Sequence, residues 1–332
     1  MTPREVVTRA IEFRRPERLP INGYGPASDV TWIGYEQPKP PQAQDDPAVD
    51  QWLCRWGKTE VPNMGQVKGH PLEDLAGMND FPWPDPDDPR RYVNVPKQLD
   101  DLAADPARRD HFTVTGIFMI LWERMHSLHG FENCMLDLMD DRPAIHELAE
   151  HIVEYDLGII RNMHRIAGSR IQALSFTEDW GTQSDLHVSP ELFRRFFLPR
   201  YQRLFRAIHE CGWFVWMHSC GKINKAIPGL IEAGVDVLNM QQPRANGIEE
   251  IGRQFAGKVC FESLCDIQAT LPAGNRRAIT AEARQLMRTW GTPDGGFILG
   301  DYGDHTAIGA RPETKDFMLR EFRRLDPWAR RR

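Results

Sequence analysis

The chain has 332 residues, 41% apolar and 27% charged, with a formal net charge of −6. That length suits one (β/α)8 barrel and buries a large core without disulfide support. An acidic balance with no basic stripe argues against nucleic-acid binding, and no apolar run is long enough to span a bilayer. The opening "MTPREVVTRAIEFRRPERLP" is charged throughout and lacks the apolar segment of a signal peptide, so the expected location is cytoplasmic. There the six cysteines are expected as thiols, ligands or core residues rather than bridges. Cys134, Cys211 and Cys260 lie in apolar contexts and read as core. Arg330-Arg331-Arg332 reads as a solvated tail.

Thr2-Pro3-Arg4-Glu5 combines an N-cap threonine, proline at the first helical position and glutamate at N3, which predicts helix 1. From 36 to 110 the composition shifts. "YEQPKPPQAQDDP" and "DFPWPDPDDPRRY" predict a loop-rich insertion near the barrel mouth, with Trp52, Trp56 and Trp83 packing over the main core. "FTVTGIF" (112–118) reads as a strand, followed by one or two helices over 119–139 and a long helix over 143–167. "IQALSF" (171–176) is the next strand. Ser189-Pro190-Glu191 opens a helix to about Gly212, with a kink expected near Pro199. "WFVWM" (213–217), "VDVLNM" (235–240), "KVCFES" (258–263) and "GFIL" (296–299) are further strands. Helices ending at Gly234 and spanning about 247–256, 275–290 and 312–325 alternate with them. With early strands near 18–23 and 52–60, the count comes close to the eight of a closed barrel, so the whole chain 1–332 is expected to form a single domain.

Each late strand ends in residues able to ligate or to move protons. Thr177-Glu178-Asp179-Trp180-Gly181 follows "IQALSF", His218-Ser219-Cys220-Gly221 follows "WFVWM", and Gln241-Gln242-Pro243 follows "VDVLNM". Cys265-Asp266-Ile267-Gln268 and Gly300-Asp301-Tyr302-Gly303-Asp304-His305 follow the last two strands. In a barrel these ends converge on the C-terminal rim, where barrel enzymes place their chemistry. His218 and Cys220 are two apart, so an extended backbone points both to one side, and imidazole with thiolate suits Zn²⁺. A buried histidine beside a buried cysteine gives the same pattern without a metal.

The segments "SFTEDWGTQSDLHVSPELFRRFFLPRYQRLFRAIHECG", "WMHSCGKINKAIPGLIEAGVDVLNMQQP", "CDIQATLP" and "GGFILGDYG" resemble the uroporphyrinogen decarboxylase superfamily, as does the N-terminal stretch. The resemblance implies a (β/α)8 TIM barrel. True uroporphyrinogen decarboxylases carry an N-terminal Pro-Val-Trp-x-Met-Arg-Gln-Ala-Gly-Arg stretch whose arginines meet the substrate carboxylates. Here that region reads "LPINGYGPASDVTWIGYEQP", with no arginine between Arg18 and Arg55. His-x-Cys-Gly looks instead like the zinc-dependent methyltransferase branch, which serves corrinoid proteins and coenzyme M. The resemblance thus implies His218 and Cys220 as zinc ligands. That branch takes its third ligand from a cysteine after the last strand, but "ILGDYGDHTAIG" has none. Asp301, nearest the strand end, is the expected replacement, with Asp304, His305 and, from another loop, Cys265 as other donors.

The implied function is methyl transfer or demethylation of a small molecule with Zn²⁺ as cofactor. The corrinoid would come on a partner protein, because the Asp-x-His-x-x-Gly signature of corrinoid domains is absent. Decarboxylation of a tetrapyrrole and a non-catalytic ligand-binding barrel are the alternatives. Glu178 and Asp179 are expected as rim acids that bind substrate or complete the metal shell, or as a loop pair capping backbone NH groups. Tyr302 is a candidate proton shuttle. Gln183, Gln241 and Asp266 are candidate substrate contacts, with Gln241 and Gln242 also readable as supports behind the first ligands.

Overall fold

The computed structural model describes residues 1–59 and 65–329. The Arg330–Arg332 tail and the last position of the strand expected at 52–60 lie outside them. The described residues form nine strands: β1 (Val30–Trp32), β2 (Arg55–Gly57), β3 (Gln66–Gly69), β4 (Phe112–Ile117), β5 (Ala173–Thr177), β6 (Phe214–His218), β7 (Val237–Asn239), β8 (Cys260–Ser263) and β9 (Phe297–Leu299). Seven of them form one parallel sheet in the order β1-β4-β5-β6-β7-β8-β9. Pro20–Asn22 fills the gap between its edges. Ile21 bridges Leu299 in parallel and accepts from Asp29 N at 2.7 Å, while Leu299 N donates to Pro20 O at 2.9 Å. This curled parallel sheet wrapped by helices is a TIM-barrel architecture, with its first stave reduced to a bridge.

Two early expectations change. The strand near 52–60 exists as β2, but it pairs antiparallel with β3 in a separate two-stranded sheet. Its place in the barrel belongs to Val30–Trp32, three residues too short to show a period. The expected kink is a π-helical turn at Phe193–Phe197, just before Pro199, whose missing N–H lets the ladder slip. Helix 119–139 is two helices, Trp122–His129 and Phe131–Met139, divided at Gly130.

Strand alternation sorts the core into two layers. Inward residues such as Val114, Ala173, Trp216, Val237, Cys260 and Ile298 fill the barrel with Val7 and Ala10 of the first helix, Pro3–Ile11, which has the expected capping box. Outward neighbours such as Leu174, Val215, Leu238 and Phe261 pack on the surrounding helices. Cys134 and Cys260 are buried, and Cys211 is half-buried against the core. Residues from the 36–110 stretch lie along helices Trp122–His129 and Pro143–Ala167. Leu72 N donates to Leu128 O at 2.9 Å, Trp83 stacks on His151 at 4.3 Å, and the Arg124 guanidinium lies 4.8 Å from the Trp52 ring. Trp56 reaches Phe118, just beyond β4, at 6.0 Å. No helix among the described residues is long and apolar enough to cross a membrane.

Candidate metal centre

The register of neighbouring strands lines up Thr177, His218, Asn239 and Glu262 as successive Cα partners across β5, β6, β7 and β8. All four face inward and line a cavity of about 340 Å³ at the barrel mouth, with Trp32 and Tyr302 on its rim. A second cavity of about 320 Å³ shares Trp32, Ser175 and Thr177 with the first. Both volumes fall at the lower end of small-molecule sites.

At one side of the mouth the loops after β5 and β6 touch backbone to backbone. A Cβ on Gly221 (φ +78°) would sit 2.0 Å from Gly181 O, and one on Gly181 would sit 2.5 Å from Lys222 N. Only glycines permit this approach. Hydrogen bonds join the loops along their length: Glu178 N to His218 O at 3.0 Å, Trp180 N to Ser219 Oγ at 3.1 Å, and Lys222 N to Thr182 O at 2.8 Å. The pairing brings Asp179 against His218 and Cys220.

Among the described residues, Asp179, His218 and Cys220 are the cluster of potential ligands whose donor atoms all lie within 4.8 Å of one another. His218 Nε2 is 3.4 Å from Cys220 Sγ and 3.6 Å from Asp179 Oδ1. Tetrahedral zinc, with bonds of about 2.3 Å to sulfur and about 2.0–2.1 Å to nitrogen or oxygen, needs ligand–ligand edges of roughly 3.4–3.6 Å. The donor set therefore fits zinc, and three protein ligands leave the open position of a catalytic site. Asp179 Oδ1 also accepts Cys220 N at 2.7 Å, which fixes the carboxylate against the loop. Burial disfavours the His218 imidazolium, but Cys220, Asp179 and Asn239 outweigh it and hold its pKa well above the ordinary value. The pocket thus favours positive charge at the point where the three donors meet.

Asp301, the expected third ligand, stands apart from this cluster. Asp301 lines the same cavity, but its carboxylate is engaged by His305 Nε2 at 2.9 Å and Lys315 Nζ at 2.5 Å, and it is not in the donor cluster. Burial works against its ionisation, yet these two partners keep its pKa below the ordinary value. Of the other donors, Asp304 caps Thr306 and Ala307, and Cys265 is fully buried with Sγ against Ile279 O. Asp179, read from sequence as a rim acid or part of the metal shell, is the carboxylate that stands with His218 and Cys220.

Glu178 is a structural cap rather than a rim acid. Fully buried, it accepts Leu121 N, Trp122 N and Glu123 N at 3.1, 2.6 and 3.0 Å, at the start of helix Trp122–His129, together with the Tyr201 hydroxyl. Burial pushes its carboxyl up to about 7, although these donors favour the anion. Asp266 is likewise consumed by backbone, accepting Gln268 N, Ala269 N and Arg244 N. Gln183 is exposed and donates to Gln242 at 3.2 Å, Gln241 lines the cavity, and Tyr302 is half-buried on its rim. Burial, then the nearby Cys220, raises the Tyr302 pKa.

Four residues at the mouth escaped sequence reasoning. Asn239 Oδ1 lies 2.6 Å from His218 Nδ1. Glu262 accepts Trp216 Nε1 at 2.7 Å and Asn22 Nδ2 at 2.9 Å. Trp32 keeps 51% of its surface exposed in the mouth, and Glu123 is a buried acid beside Asp179. Asn239 and Glu262 sit inside apolar runs, where only the two-residue period, carried across strands, would have marked them.

Comparison with known proteins agrees with this architecture. A methyltransferase from Methanosarcina mazei superposes with a TM-score of 0.62 at 16% identity, covering 82% of this chain and 75% of that one. An endo-β-1,4-xylanase from Gloeophyllum trabeum gives a TM-score of 0.40 at 11% identity, covering 67% and 79%. No curated protein matches the sequence at a significant level. The description of the uroporphyrinogen decarboxylase (URO-D) family matches residues 83–324, well over half of the sequence. On that match the chain belongs to the uroporphyrinogen decarboxylase family.

Proposed function

We propose that this protein is a zinc-dependent methyltransferase, transferring a methyl group to or from a small molecule, with a corrinoid on a partner protein as methyl carrier. The observation that carries this reading is the convergence of a carboxylate, an imidazole and a thiol at 3.4 and 3.6 Å, the edge lengths zinc requires. Zinc, when bound, lowers the pKa of a thiol or hydroxyl so that a nucleophile exists at neutral pH.

The chain's own residues do the rest. Asp179, His218 and Cys220 would hold the ion, and Asn239 orients His218. Trp32 and Tyr302 flank the cavity in which the small molecule is oriented, and we assign proton movement to Tyr302. Gln241 is the candidate amide contact to substrate. The stretch 36–110 reaches the mouth through Trp56 and Phe118, and we assign it a part in specificity. A cytoplasmic setting goes with this reading.

Among the described residues, those lining the mouth cavity include Glu262 and Asp301 but no arginine or lysine. A porphyrinogen with many carboxylates would meet acids there instead of guanidinium groups, which favours methyl transfer over decarboxylation. The test uses free methylcobalamin as a stand-in for the carrier, with a panel of small thiols, following the loss of its absorbance. Turnover should require added zinc and stop with EDTA. Zinc-loaded protein that leaves methylcobalamin intact with every thiol would overturn the assignment.

A further inference from the structure

Glu262 is an acid inside the barrel with 2% of its surface exposed, and no known feature of the chain accounts for it. A Cβ on Gly300 would come within 2.8 Å of its Oε1, so the neighbouring strand end leaves room for this side chain. Its oxygens accept Trp216 Nε1 at 2.7 Å and Asn22 Nδ2 at 2.9 Å, and the Asn239 side chain, its neighbour in the strand register, also favours the ionised carboxyl. Asn239 in turn stands between Glu262 and His218, its partner on each side in the strand register.

Burial works against ionisation of Glu262, but once it is ionised the donor and acceptor roles in this row are fixed. A carboxylate only accepts, so Asn239 turns its NH2 to Glu262. Its Oδ1 is then the atom facing His218 Nδ1, as found at 2.6 Å, and an oxygen there requires a proton on Nδ1. In the neutral ring that a metal requires, the lone pair is then on the remaining nitrogen, Nε2, which is the one that faces Cys220 Sγ and Asp179 Oδ1. We infer that Glu262 is a positioning residue: through the Asn239 amide it sets which imidazole nitrogen of His218 is free to bind metal, and it adds negative charge behind the ring. This inference rests on the metal reading above. It extends that reading because Glu262 touches none of the proposed ligands.

The test compares zinc affinity of wild type, Glu262→Gln, and the double variant Glu262→Gln/Asn239→Asp, with unfolding by urea measured alongside. Glutamine keeps the shape and offers one oxygen instead of two, and zinc affinity should fall about tenfold or more. Asn239→Asp puts an obligate acceptor directly on Nδ1, so the double variant should recover affinity to within about threefold of wild type. An E262Q protein that binds zinc as wild type does would overturn the inference. A weak E262Q that Asn239→Asp fails to rescue would also overturn it, since the loss would then be one of folding alone. A second readout needs no metal: exchange of the His218 Nδ1–H proton with solvent, followed by NMR in EDTA, should accelerate about tenfold in E262Q. Absence of zinc binding by wild type, together with this acceleration in E262Q, would sink the metal reading and leave the relay standing. Unchanged exchange would sink the relay whatever zinc does.

Discussion

Glu123 lies in the first turn of helix Trp122–His129, 8% exposed, with Oε2 lacking any hydrogen-bond partner. Burial, followed by repulsion from Asp179 and Glu178, pushes its carboxyl up to about 8 from an ordinary 4.5. Below pH 4.5 both folded and unfolded chains hold the proton, and the buried acid contributes its full stability. Between 4.5 and about 8 the folded state holds more protons than the unfolded one, so stability falls as pH rises. At about 1.4 kcal/mol per pH unit, the loss between about pH 5.5 and 8.5 is about 3 kcal/mol. Glu123→Gln cannot ionise and should lack this slope, so the variant should gain on wild type by about that amount at the alkaline end. Urea unfolding of both proteins over this range, in EDTA, measures the difference, because acids remote from Glu123 contribute equally to the two profiles, and relief of Glu178 and Asp179 in the variant is part of the gain. Zinc should narrow the gap, since a cation held by Asp179 offsets the repulsion. Parallel profiles, differing by less than about 1 kcal/mol across the range, would refute the account of Glu123.

Glu178→Ala leaves three helix-start NH groups and the Tyr201 hydroxyl proton without an acceptor in a site with no exposed surface. At about 1–3 kcal/mol for each buried orphan, partly relieved by water, the loss should exceed about 4 kcal/mol in urea unfolding. Arg124→Ala strips the guanidinium from Trp52 and from Asp50 at 3.5 Å, and removes charge that offsets the buried Asp156. It should cost about 3–5 kcal/mol in urea unfolding and speed proteolysis within 36–110. Gly221→Ala forces a Cβ onto Gly181 O at a positive φ, so it should cost at least about 2 kcal/mol and weaken zinc binding by parting the two loops.

The alternation of strands and helices after residue 110 was legible because apolar runs recur there between long amphipathic segments, and caps such as Ser189 and Asn275 mark some of the helix starts. The early barrel was not. Val30–Trp32 is three residues long, Ile21 makes only a bridge, and the Trp- and Pro-rich stretch hid an antiparallel pair with similar strand composition. At the site, His218 and Cys220 were visible from their two-residue spacing. The loop after the last strand offers Asp301 as a donor, while β5, the neighbour of β6, brings Asp179 beside His218 and Cys220. Spatial adjacency of strands, set by the order of the sheet, decides which loops meet; the residues of one loop do not reveal it. Glu178 looked like its neighbour Asp179 in sequence, yet one side chain runs into a helix start and the other toward the mouth. The inward row of Asn239 and Glu262 was concealed by the apolar residues that alternate with it.

The central claim is that Asp179, His218 and Cys220 hold zinc. Titration of metal-free protein with zinc against a chromophoric chelator, for wild type, Asp179→Asn and Asp301→Asn, tests it most directly. Wild type should bind about one zinc per chain, Asp179→Asn should lose at least about a hundredfold in affinity, and Asp301→Asn should stay within about threefold. Wild type that takes up no zinc, or binding that survives in Asp179→Asn and disappears in Asp301→Asn, would contradict the claim.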